Sequence, residues 1–228
     1  MGGVVEQWLK GRPVATTLAL GYPQPYLTIL EESSDELIIG TPAEMGVIKR
    51  SPLAKPRAQL VLRPDALPLP DASQERIVMM HLLEGVGAME PVLREMWRVL
   101  KPGGRLFVIV PNRGGLWSRR DNSPFGWGRP FSPQQLSLLL EESLFSPQQS
   151  AYALFMPPFS NPRLCRRVQR WEKAGQRWFA PLGGVVLCEA EKQVYAANPI
   201  RSRIPAMGRG LAMPAVERSA DELHRHHT

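Results

Sequence analysis

His81 is the one histidine outside the carboxy-terminal His224, His226 and His227, and it follows directly on the apolar run Ile77-Val78-Met79-Met80. An imidazole titrates near neutrality, so at the end of a buried strand it can take a proton from an incoming nucleophile. The same position equally suits a histidine that only satisfies its own hydrogen bonds. A second group with chemical potential is the set Arg113, Arg119, Arg120 and Arg129 interleaved with Trp117 and Trp127. Guanidinium forks and indole faces can grip an anionic or aromatic substrate, and the same residue types dominate protein-docking surfaces. The two cysteines, Cys165 and Cys188, lack the paired spacing of a zinc site or a disulfide framework and read as reduced core residues. Histidines confined to a terminus are no designed metal site, and no metal is expected.

The elements that would carry these groups alternate between strand and helix. Apolar periodicity predicts helices over 4–10, 26–32, 89–100, 133–144 and 162–178, and strands over 14–20, 36–40, 58–62, 76–80, 105–110, 150–156 and 184–196. Thr41 and Pro42 are expected to stop the second strand, and the prolines at 64, 68 and 70 make 63–71 a loop. The helix over 89–100 has its apolar face at Met89, Val92, Leu93, Met96, Trp97 and Leu100. Arg98 and Lys101 complement its dipole, Pro102 ends it, and Gly103-Gly104 supply a left-handed turn into the next strand. Ser132 followed by Pro133 is a helix start. The stretch from Asn112 to Phe131 has no period and reads as a functional or mobile loop.

Hydrophobic residues make up 43% of 228, enough for one α/β core, with no apolar run near the roughly 20 residues a membrane helix needs. The expected organisation is one domain over 1–197 and a basic, disordered tail over 198–228. The amino terminus has no secretory pattern, so the expected compartment is the cytoplasm. A net charge of +7 permits an acidic partner, but no nucleic-acid module accompanies it, and neither nucleic acid nor membrane is expected as a partner.

Alternating strands and helices imply a parallel sheet covered on both faces, with ligands at the carboxyl ends of the strands. The residues Leu67-Pro68-Leu69-Pro70-Asp71-Ala72-Ser73, then Glu84, then Leu93-Arg94-Glu95-Met96-Trp97-Arg98-Val99-Leu100-Lys101-Pro102-Gly103-Gly104-Arg105-Leu106 resemble the type 11 family of class I methyltransferases, in a bacterial branch. The resemblance spans roughly 14–110. It implies a Rossmann-like, mostly parallel seven-stranded sheet with helices on both faces and an antiparallel last strand. It also implies S-adenosyl-L-methionine as cofactor, with Leu20, Gly21, Tyr22, Asp65, Ala66, Met80 and His81 lining its site and His81 as the catalytic candidate.

The family's first strand ends in an acid followed by three alternating glycines. Here the segment is Ala19-Leu20-Gly21-Tyr22-Pro23-Gln24-Pro25, which keeps Gly21, has alanine for the acid and has proline for the other two glycines. Each proline removes an amide donor and adds a ring. The ribose-binding acid expected after the second strand is absent, with Glu44 able to serve only if its loop folds back. Glu84 matches the family's acid but reads first as a local cap or pairing partner, and Gly85 stands where a histidine is usual. Two functions follow from the resemblance. One is a methyltransferase acting on an unidentified small molecule or protein. The other is a catalytically inactive methyltransferase-like subunit that binds a protein partner through 113–130 and the basic helix.

Overall fold

The computed structural model describes residues 2–10, 12–45, 58–115, 128–155 and 180–194, all within the unit Met1–Val194. The expected helix over 162–178, the tail, Cys165, and the Arg119, Arg120, Trp117 and Trp127 side chains lie outside the described residues.

In chain order the elements are α1 (Gly2–Lys10), β1 (Val14–Gly21), α2 (Leu27–Glu32), β2 (Ser34–Pro42), β3 (Ala58–Leu62), β4 (Gln74–Met80), α3 (Met89–Val99), β5 (Leu100–Pro111), α4 (Pro133–Glu142), β6 (Phe145–Ala153) and β7 (Val185–Lys192). The strands form one seven-stranded sheet in the order β3-β2-β1-β4-β5-β7-β6. β1 through β5 pair in parallel, and β7 runs antiparallel to both β5 and β6. This is the class I methyltransferase architecture expected from the sequence, including its antiparallel last strand.

The period of two along each strand sends alternate residues to two cores. One face, with Leu18, Leu20, Ile77, Met79, Leu106 and Val108, packs against Leu93 and Met96 of α3 and Leu136 and Leu140 of α4. The other, with Ala19, Val78, Met80, Phe107 and Ile109, packs against Val5 and Leu9 of α1 and Leu27 and Leu30 of α2. Helices therefore cover both faces, and β4 and β5 lie in the middle with β-ends buried.

Several boundaries differ from the sequence expectation. Thr41 and Pro42 continue β2 instead of ending it, in register with Val61 and Leu62 of β3. A proline is tolerated there because it occupies the last position of the strand. α3 ends at Val99, and Leu100 already pairs with Gln74, so the chain passes from helix to sheet with no intervening turn. Lys101 to Gly104 bulge from β5 between the pairs at Leu100 and Arg105, and Gly103, at φ +69°, gives that bulge its left-handed residue. Leu144, expected in a helix, sits at φ +65° and swings the chain straight into β6, which begins at Phe145 instead of residue 150. β6 is an edge strand, so it accommodates Pro147 at an irregularity in its pairing with β7. The α4 start is as read: Ser132 Oγ accepts from the Gln135 amide while the Gln135 side chain accepts from the Ser132 amide.

Candidate functional site

Strand ends on one edge of the sheet supply the site. β1 stops at Gly21, whose φ of +87° lets the chain turn so that the Tyr22 amide donates to the Met80 carbonyl at 2.9 Å. A Cβ on Gly21 would overlap that carbonyl oxygen. Pro23 then starts a single 3-10 turn, Gln24–Tyr26, closed by the Tyr26 amide on the Pro23 carbonyl, and α2 follows at once. The two prolines thus act as helix-starting residues. Tyr22 projects half-exposed, and the Gln24 Oε1 atom is buried without a hydrogen-bond partner.

β2 runs into a 3-10 turn, Ala43–Met45, that carries Glu44. After β3 the chain makes a tight turn in which the Ala66 amide donates to the Arg63 carbonyl at 3.1 Å. Arg63 holds Asp65 with two bonds, Nε to Oδ1 at 3.1 Å and Nη2 to Oδ2 at 2.8 Å. That hydrogen bond keeps the Asp65 carboxyl below its ordinary value, so it stands as a carboxylate. Behind this turn the Leu67 amide donates to Glu95 Oε2, and Arg98 donates to the carbonyls of Leu67 and Leu69 and to Asp71.

β4 ends at Met80, and His81 takes the left-handed conformation at φ +53°. Its amide donates to the Ile109 carbonyl, and its Nδ1 lies 2.8 Å from Glu84 Oε1. Glu84 Oε2 is buried with no partner. A non-glycine residue at positive φ is strained, and such strain persists where surrounding contacts enforce it. Here the enforcing contacts are the β5 carbonyl and the Glu84 carboxylate.

Between these ends opens a cleft of about 850 Å³, lined among others by Glu44, Met45, Arg63, Asp65, Leu82 and Val86. That is a size suited to a nucleoside-bearing cofactor. Of the residues expected from the sequence, the cleft includes Asp65 and not Gly21, Tyr22, Ala66 or His81, which occupy adjoining strand ends and turns. Leu20 and Met80 have fully buried side chains, so only their backbones could face a ligand. Glu44 does line the cleft, the arrangement its loop had to adopt for the residue to serve. Arg63 and the His81–Glu84 pair were not foreseen as partners. Spacings of two and three residues between opposite charges were the available signals.

The segment 113–130 is anchored at both described ends. Phe131 donates to the Pro111 carbonyl and accepts from the Arg113 amide, and the Arg129 amide donates to the Glu84 carbonyl. The Arg129 end therefore rejoins the fold beside Glu84, while the Arg113 end leaves it beside Phe131. Arg113 and Arg129 are exposed. Among the described residues no cluster of histidine, cysteine and carboxylates could hold a metal.

Sheet order and a cleft at the carboxyl ends define a class I methyltransferase fold. Known structures share it. A methyltransferase chain from Haloferax volcanii, solved in a complex with the Trm112 methyltransferase activator, superposes with a TM-score of 0.59 at 15% identity over 83% of this chain and 89% of that one. The YcgJ protein of Bacillus subtilis gives 0.57 at 14% identity over 85% and 98%. Residues 25–108 match the family model described as a methyltransferase domain. A probable S-adenosylmethionine-dependent methyltransferase of Mycolicibacterium smegmatis is 37% identical over 81 residues, 35% of this chain and 31% of its own length. The ubiquinone/menaquinone biosynthesis C-methyltransferase UbiE of Citrobacter koseri is 49% identical over 45 residues, 20% of this chain and 18% of its own. The chain thus spans less than a third of the length of these curated relatives. Its fold is that of the class I methyltransferases, and its similarity to the S-adenosyl-L-methionine-dependent members is confined to the matched segments.

The cleft lining fits the nucleoside end of S-adenosyl-L-methionine, while the first-strand motif departs from the family's at Ala19, Pro23 and Pro25. Ala19, where the family has an acid, is fully buried and offers no charge. The unpartnered Gln24 Oε1 gives the same turn an acceptor for an ammonium group. Glu44 and Asp65 line the cleft, and Leu82 supplies an apolar wall.

Proposed function

We propose that the protein is an S-adenosyl-L-methionine-dependent methyltransferase acting on a small molecule or a protein. The observation that carries this reading is the cleft over the ends of β2, β3 and β4, lined by Glu44 and Asp65. When bound, S-adenosyl-L-methionine supplies a methyl group already activated on a sulfonium, so the protein's main task is alignment. In this reading Gly21, with the backbones of Leu20 and Met80, provides close backbone approach. Gln24 accepts from the methionine ammonium, Tyr22 covers it, Glu44 accepts from the ribose hydroxyls, and Asp65 with Ala66 meets the adenine. Glu84 holds the His81 imidazole through Nδ1, which directs Nε2 towards accepting the proton of the methyl acceptor. The strain at His81 supports a positioned role over a merely structural one. The compartment consistent with this reading is the cytoplasm, with the catalytic unit over 1–197 and 198–228 as a separate basic tail.

Titration calorimetry with S-adenosyl-L-methionine and S-adenosylhomocysteine tests the proposal. Saturable binding is expected, and Asp65→Ala and Gln24→Leu should each weaken it about tenfold, the loss of one hydrogen bond to a charged group. Absence of heat up to millimolar ligand would overturn it.

A second reading rests on the buried Ala19 and on Arg63, which already occupies both oxygens of Asp65. On that reading the fold is retained without chemistry, and the segment 113–130 docks a protein partner. The Haloferax volcanii neighbour, solved with an activator protein, is a precedent for partner binding on this fold.

A further inference from the structure

Arg76 is a buried cation that forms no ion pair among the described residues. Its side chain is 2% exposed, and its guanidinium donates to three neutral oxygens: Ser33 Oγ at 3.0 Å, the Ser33 carbonyl at 3.3 Å and the Arg12 carbonyl. Its plane lies over the Phe107 ring at 5.8 Å. A guanidinium taken out of water without a carboxylate is costly, and burial pushes the Arg76 pKa down to about 10.

The surroundings compensate it only in part: the Glu189 and Glu75 carboxylates favour its charged form, while the Arg12 and Arg105 guanidiniums oppose it. Arg76 lines a pocket of about 360 Å³ with Arg12, Lys101, Arg105, Glu75 and the Gly103-Gly104 bulge. Glu189, beneath it and 1% exposed, is consumed by Arg12, Arg105 and Gln149. Glu75 is consumed by Lys101 at 2.9 Å and the Ala15 amide at 2.9 Å. The remaining carboxylate nearby, Glu191, stands beside Gly103. Among the described residues four cations thus meet three carboxylates, and the best-buried cation has no carboxylate in direct contact. The rim cations stay reachable, with side-chain exposures of 50% for Arg12, 41% for Lys101 and 34% for Arg105.

We propose that this pocket, at the amino ends of β1, β4 and β5, binds a phosphate-sized oxyanion between Arg76, Arg12, Arg105 and Lys101. It is separate from the cofactor cleft, which lies at the carboxyl ends of the same sheet. Planar guanidinium forks suit tetrahedral and carboxylate oxyanions, and the low-dielectric floor strengthens the attraction that bulk salt would screen at the rim. A phosphate there neutralises the excess charge and completes the Arg76 environment.

Calorimetric titration of the full chain with inorganic phosphate, against chloride at matched ionic strength, tests this. Saturable binding is expected that S-adenosylhomocysteine does not displace. Lys101→Gln should weaken it about tenfold. Glu75→Gln should tighten it several-fold, because it releases Lys101 for the anion. Arg94→Gln, on the exposed face of α3, should leave it unchanged. Heat no greater than with chloride would overturn the proposal. So would phosphate binding insensitive to Lys101→Gln, which would mean that the anion is held elsewhere.

Discussion

Gly21 and His81 both hold backbone conformations that side chains resist, but for opposite reasons. Gly21 needs φ +87° so that β1 can turn against the Met80 carbonyl, and any Cβ there meets that oxygen. Gly21→Ala is therefore expected to lower stability by at least about 2 kcal/mol in urea unfolding, from left-handed strain and overlap together. His81 takes φ +53° without that freedom, and its imidazole is held by Glu84. Under the proposed function, Glu84→Gln should leave cofactor affinity in calorimetry within about twofold while altering the pH profile of methyl transfer, because the residue would act through the histidine. An unchanged profile would count against a positioning role.

At the scale of elements, α3 does more than cover the sheet. Glu95 and Arg98, on one helical turn, hold the proline-rich loop between β3 and β4 from behind, through the Leu67 amide and the Leu67 and Leu69 carbonyls. Asp65 lies in the turn just before that loop, so the helix sets the floor of the cleft. The bond from Arg98, then that from the Leu67 amide, holds the Glu95 carboxyl below its ordinary value of 4.5. A carboxylate with a lowered folded pKa contributes stability above its unfolded pKa and loses it as pH falls through the folded one. Exchange protection of the Leu67 amide should accordingly persist above about pH 4.5 and fade below it, and Glu95→Gln should remove this acid dependence. At α4, Ser132→Ala should cost about 1 kcal/mol in thermal unfolding by opening the capping box.

For the whole molecule, the antiparallel pairing of β7 with β5 and β6 extends the sheet over the core beneath α3 and α4 and buries Cys188 to 1% exposure. Burial, with the nearby Glu189 carboxylate, pushes its thiol up to about 12. In a Cys165→Ser background, Cys188 should resist thiol reagents at pH 8 and react only as the sheet unfolds, so its labelling rate reads global opening. Fast labelling of the folded protein would contradict the packing of β7. No helix among the described residues is long and apolar enough to cross a membrane.

Periodicity alone determined the succession of elements, and the run from Leu93 to Leu106 pointed to the class of fold, because amphipathic spacing and helix-stopping residues are local properties of the chain. Where strands end was less legible. Thr41, Pro42, Leu100 and Phe145 join the sheet because a neighbouring strand offers them a register, which outweighs their local propensity. Gly21 and Asp65 could be picked from the sequence through the family resemblance, and of the two Asp65 lines the cleft. Only the tertiary structure decided that Glu44 shares a cleft with Asp65, that Arg63 engages that aspartate, and that His81 pairs with Glu84. It alone brought Arg12, Arg76, Lys101, Arg105 and Glu189 together from four segments of the chain. A parallel sheet aligns residues by strand order and register, and sequence distance carries no record of either.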